Sequence, residues 1–128
     1  MKTSYRTSFA FVFVALIVSL AVSPVWSQQR RVIRVSAERF SFTPSEIVVE
    51  AREEIELRLT SDDTAHGFRI PGTPVNVVIP KRGRSEIVVP FRAPEPGRYE
   101  FECSRMCGAG HNFMRGVLIV REPGSKTP

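Results

Sequence analysis

Beyond residue 28 the chain is a series of short apolar runs, each cut off by a turn signal, with no convincing amphipathic-helix pattern. Ile55-Glu56-Leu57-Arg58-Leu59 alternates cleanly, so one face is buried and one is wet. Val32 to Phe42 predicts a first strand, with apolar Val32, Ile33, Val35, Phe40 and Phe42, ended by Thr43-Pro44-Ser45. Further strands are expected over Glu46 to Ala51, Gly67 to Ile70, Val75 to Ile79, Glu86 to Phe91, Arg98 to Cys103 and Gly116 to Arg121. Pro71-Gly72, Lys81-Arg82-Gly83-Arg84 and Pro94-Glu95-Pro96-Gly97 supply the turns between them. Strands at this spacing imply an all-β Greek-key sandwich or small barrel. The single Trp lies before residue 28, so Phe and aliphatic residues must build the core.

Residues 1–27 read differently. Lys2 and Arg6 precede an apolar stretch from Phe9 to Val22, and Val25-Trp26-Ser27 offers a cleavage position. This fits a secretory signal and, equally, a single uncleaved membrane anchor. Either exports the domain over residues 28–128 and leaves the positive end in the cytoplasm. The expected location is therefore periplasmic or otherwise extracytoplasmic, soluble or tethered. The 128 residues allow one domain of this kind, large enough to fold without a metal or disulfide staple. That domain has sixteen bases against thirteen acids, because the leading segment removes only Lys2 and Arg6. No basic run points to nucleic acid.

Chemistry concentrates in Cys103-Ser-Arg-Met-Cys107-Gly-Ala-Gly-His111-Asn-Phe-Met114, between two expected strands. Two thiols, an imidazole and a thioether fall within a dozen residues, and Gly108 and Gly110 let the backbone curl. His66, in Thr64-Ala65-His66-Gly67-Phe68, is the only other histidine and is expected in a loop at the same end of a Greek-key sandwich. Soft sulfur donors with imidazole suit copper, above all Cu(I), and a thioether is foreign to structural zinc. The plain alternatives are a surface His66, a core Met114 and a Cys103–Cys107 disulfide, which would close a very short loop. The metal reading explains all five residues together.

The pattern C-S-x-x-C-G-x-G-H-x-x-M resembles the dinuclear copper A loop of cytochrome c oxidase subunit II, a cupredoxin-fold domain. Ser61-Asp62-Asp63-Thr64-Ala65-His66-Gly67-Phe68 is similar to that family's first histidine loop, and Phe40-Ser-Phe-Thr-Pro44 with Ile47-Val48-Val49 to its opening strands. The resemblance covers roughly residues 31–121 and implies two copper ions. Cys103 and Cys107 would each bridge both ions. His66 and His111 would bind one each. Met114 and the backbone carbonyl of Arg105 would be weak ligands, with Asp63 and Asn112 supporting the ligands by hydrogen bonds. It further implies electron transfer from a c-type cytochrome or small copper protein to an oxidase catalytic subunit, with no bond-making chemistry in this chain alone.

There are departures. Arg105 stands where the family usually has Glu, and neither a two-helix membrane hairpin nor a tryptophan-rich stretch is present. The size fits a short single-anchor or free-standing form. Competing readings are a mononuclear blue-copper carrier using His66, Cys107, His111 and Met114, a periplasmic copper chaperone, and a metal-free disulfide sandwich. Arg105 and Arg115, with Phe113 and Phe68 nearby, are expected on the docking face, which would favour a neutral or acidic partner.

Overall fold

A computed structural model describes residues 29–125. The expected signal or anchor over 1–27 lies outside the described residues. Among those described, no helix is long and apolar enough to cross a membrane.

Among the described residues, nine strands make two sheets. They are β1 (Arg31–Glu38), β2 (Ser41–Thr43), β3 (Glu46–Glu50), β4 (Glu54–Ser61), β5 (His66–Arg69), β6 (Asn76–Ile79), β7 (Ile87–Arg92), β8 (Gly97–Glu102) and β9 (Arg115–Arg121). One sheet runs β2-β1-β4-β7 and the other β3-β9-β8-β5-β6. The pairs β1–β4 and β3–β9 are parallel and the rest antiparallel. The all-β sandwich expected from the alternation is therefore present, and the only helical element described is a 3-10 turn at His111–Phe113.

Alternation decides which side chains face inward. In β4, Ile55, Leu57 and Leu59 are buried while Glu56 and Arg58 are half-buried on the other face, where they pair at 2.7 Å. The expected single strand from Val32 to Phe42 is instead two. Val35 and Ala37 point into the core, and the same parity carried forward would drive Arg39 inward. The chain turns at Arg39–Phe40, pairing Glu38 with Ser41, and Phe42 takes the next core place. Val32 is exposed and Ile33 only half-buried, so the start of this run contributes little to the core.

Three phenylalanines join the sheets. Phe42 of β2 meets Phe68 of β5 and Phe101 of β8 edge-on, with ring centroids 5.5 and 5.4 Å away, and Phe68 lies 5.2 Å from Phe101. Gly116 on β9 sits opposite Phe101, and a Cβ there would come within 2.2 Å of the ring. The core thus depends on a large residue facing an absent side chain.

Phe101 is fully buried between both sheets, so Phe101→Ala should lower unfolding stability by about 3–5 kcal/mol. Urea denaturation of the metal-free domain measures it.

Candidate metal centre

The centre sits at one end of the sandwich, where β8 finishes and its two neighbours in the sheet, β5 and β9, begin. His66 opens β5 and is fully buried, not placed in a loop as expected, because it shares the inward parity of Phe68 and Ile70. Cys103 follows β8 on the face of Phe101, and Met114 precedes β9 on the face of Leu118. The N–H of Cys103 donates to the carbonyl of Met114 at 3.0 Å, which closes the neck of the loop between them.

That loop curls so that its donors converge. The Cys103 and Cys107 sulfurs are 3.8 Å apart, buried and unbonded to each other. A disulfide needs about 2.05 Å, so the pair is two thiols. His66 Nδ1 lies 4.0 Å from Cys103 Sγ, and His111 Nδ1 lies 3.8 Å from Cys107 Sγ. Met114 Sδ is 3.8 Å from Cys107 Sγ, and the Arg105 carbonyl oxygen is 3.1 Å from Cys103 Sγ. All six positions singled out in the sequence are therefore brought together, with a histidine and one weaker donor beside each sulfur.

The surroundings hold this arrangement. His66 Nε2 is 2.7 Å from Asp63 Oδ1, leaving Nδ1 turned to the sulfurs. Burial opposes the charge on Asp63, but the hydrogen bonds from His66 and from the Thr64 and Arg39 N–H groups prevail and hold its carboxyl below the usual range. The N–H of Gly67 points at Cys103 Sγ, 3.5 Å away. A Cβ on Gly67 would strike Ser104 and the Arg105 nitrogen, both within 2.7 Å, so only glycine lets β5 lie so close to the loop. Of the two expected supporting residues, Asp63 takes that part. Asn112 is exposed, and its carbonyl accepts from Arg115 Nε at 3.2 Å.

Sequence reasoning missed Arg39 and Phe40. Arg39 Nε donates to the Cys107 carbonyl at 2.7 Å, and the Phe40 ring packs against Gly108 and Gly110. Sixty-eight positions separate Arg39 from Cys107, and no local spacing announces such a contact.

A cupredoxin-like domain model matches residues 8–120. The chain belongs to this cupredoxin-like family. It is 36% identical over 90 residues to cytochrome c oxidase subunit 2 of Thermus thermophilus, covering 70% of this chain and 65% of that one. The chain thus spans just under two thirds of that relative. Among solved structures, a heme-copper terminal oxidase dimer superposes with a TM-score of 0.64 at 25% identity, over 78% of this chain and 74% of that one. The periplasmic domain of subunit II of cytochrome oxidase from Bradyrhizobium japonicum gives a TM-score of 0.65 at 21% identity, covering 73% and 85%, and supports the fold.

In this cupredoxin-like domain, burial pushes the Cys107 thiol up to about 11, helped by its hydrogen bond with Cys103 and that thiol's charge. The folded protein therefore favours the neutral thiol, while an unfolded cysteine ionises near 9.0. Metal-free stability should be full below pH 9 and fall as pH rises from 9 toward 11, by an amount on the order of 2 kcal/mol. Thermal melts of the metal-free protein across that range should show the fall, and Cys107→Ala should flatten it.

Proposed function

We propose that this domain is an extracytoplasmic electron carrier with a dinuclear copper centre, serving as the electron-entry module of a terminal oxidase or as a free-standing relative of one. The observation that carries the reading is the pair of buried thiols 3.8 Å apart, flanked on each side by an imidazole Nδ1 at 4.0 and 3.8 Å. Metal–thiolate bonds of about 2.3 Å placed end to end exceed that separation, so both sulfurs can reach a common ion. The donor set is soft and suits copper.

In this reading Cys103 and Cys107 would hold the two ions together with His66 and His111, and Met114 and the Arg105 carbonyl would complete the set. Bound copper would supply a one-electron couple between Cu(I) and Cu(II). The chain's own residues do the rest. Asp63 fixes the His66 ring, Gly67 and the hairpin neck fix Cys103, and the phenylalanine core excludes water from below. A mononuclear centre on Cys107 would leave Cys103 idle, although it faces His66 and accepts the Gly67 N–H. A chaperone would need accessible donors, whereas His66, Cys103, Cys107 and Met114 are buried.

Copper-loaded full-length protein should hold two coppers per chain, and its paramagnetic resonance spectrum should carry hyperfine lines from two equivalent nuclei. One copper with a blue mononuclear spectrum would refute the dinuclear reading. Cys107→Ser should abolish the shared signal, while Met114→Leu should keep both ions and shift the potential.

The electron donor, a c-type cytochrome or small copper protein, would dock over His111. Phe113 and Met106 stand there 82% and 74% exposed. Phe68, expected on this face, is instead fully buried, because it lies on the inward parity of β5. Arg115 is paired with Glu100 at 3.2 Å and Glu102 at 3.8 Å. Arg105 is exposed and makes no ion pair among the described residues. The N–H of Arg82 donates to the Asp63 carbonyl, which brings the exposed Lys81, Arg82 and Arg84 to the His66 side of the same end. The rim is basic around an apolar centre, so an acidic donor is favoured and a strongly basic one repelled. Stopped-flow reduction at low salt should be faster with an acidic cytochrome, and Arg105→Glu should narrow the difference.

A further inference from the structure

Arg39 and Phe40 have no place in the ligand set, yet their turn touches both halves of the centre. The turn joins β1 and β2 of one sheet, whereas His66, Cys103 and Met114 sit on strands, or at strand ends, of the other. The Arg39 backbone N–H donates to Asp63 Oδ2 at 3.1 Å, and the other oxygen of that carboxylate holds His66 at 2.7 Å. The Arg39 side chain reaches the other way, donating Nε to the Cys107 carbonyl at 2.7 Å. The Phe40 ring fills the space beneath the same loop, where a Cβ on Gly110 or Gly108 would lie 2.3 or 3.0 Å from its carbons. The preceding strand is tied in as well, since the Asp62 N–H donates to the Ala37 carbonyl at 2.9 Å and Ser36 Oγ bonds the Asp62 carboxylate.

One two-residue turn therefore grips the histidine branch through Asp63 and the cysteine branch through the Cys107 carbonyl. Hydrogen bonds from a charged donor are stronger than neutral ones. Arg39 is largely exposed, but its Nε is spent inward.

We infer that Arg39 is a positioning residue that latches the Cys107 branch to the His66–Asp63 branch across the two sheets, and that its positive charge favours the reduced state of the centre. The second half rests on the copper reading above; the first half does not. A cation beside a redox site opposes the gain of positive charge on oxidation, so removing it lowers the midpoint potential.

The test uses the full chain as wild type, Arg39→Gln and Arg39→Lys. Circular dichroism establishes that each variant is folded. In the metal-free proteins, amide hydrogen exchange over residues 107–111 should be at least tenfold faster in Arg39→Gln, and Arg39→Lys should recover most of the protection. In the copper-loaded proteins, the midpoint potential should fall in Arg39→Gln and return toward wild type in Arg39→Lys. Exchange and potential both unchanged in Arg39→Gln would reduce Arg39 to a solvated surface charge and overturn the inference. Failure of Arg39→Lys to recover either property would overturn it too, since neither the charge nor the donor would then be what acts. If wild type binds no copper, the functional reading fails, and exchange in the metal-free protein still decides the latch.

Discussion

Strand parity is the constraint on which the centre depends. In β5, β8 and β9 alternate residues face the core, and the run of inward positions does not stop where the hydrophobic residues stop. Ile70 and Phe68 are followed inward by His66, Phe101 by Cys103, and Leu118 and Gly116 by Met114. The donors are thus the last layer of the core. A slip of one residue in any of these strands would turn its donor to solvent along with its hydrophobic partners. The same pairing that keeps Phe101 opposite Gly116 continues to Glu102 opposite Arg115 and then to the bond between Cys103 and Met114.

This explains which parts of the molecule were legible in the sequence. Ile55, Leu57 and Leu59 alternate with charged neighbours, so their strand and its buried face followed directly. The Cys103–Met114 loop was legible because its donors lie within a dozen residues between two strands. What the sequence concealed was non-local. The turn at Arg39 lies inside an apparently continuous apolar run, because Phe40 and Phe42 continue the hydrophobic signal while the chain reverses. His66 was expected in a loop because an isolated histidine beside Ser61-Asp62-Asp63-Thr64 looks like loop composition, yet it pairs with Ile79 as the first residue of β5 and is buried there. Phe68 was placed near the surface by sequence proximity to His66, and parity buries it.

Electrostatics at this end divides by depth. Below the rim, the ionisable groups are few and each is answered, Asp63 by His66 and by two backbone N–H groups. No buried side-chain nitrogen or oxygen among the described residues lacks a partner. At the rim, acids on β8 neutralise Arg69 and Arg115, with Arg69 reaching Glu102 at 2.5 Å, while Arg105 and the Lys81–Arg84 turn project outward. Interior pairing fixes geometry, and the rim charges are left to act at longer range on whatever approaches.

In the proposed copper reading, donors that form the end layer of a hydrophobic core would let the fold precede its metal. A neutral thiol packs as a small apolar group, and Cys103, Cys107 and Met114 belong to the same buried cluster as Phe101 and Phe68. Burial keeps the Cys107 proton in place, and a metal that takes the thiolates must displace protons on arrival. The donors, however, are already gathered by the hairpin neck, by Gly67 against the loop and by Asp63 on His66. Their positions are set by sheet register and packing. An ion held there would meet a coordination shell in which strand register fixes His66, Cys103 and Met114 while the loop packed on Arg39 and Phe40 carries Cys107 and His111, so a change of one electron would have little means to rearrange it.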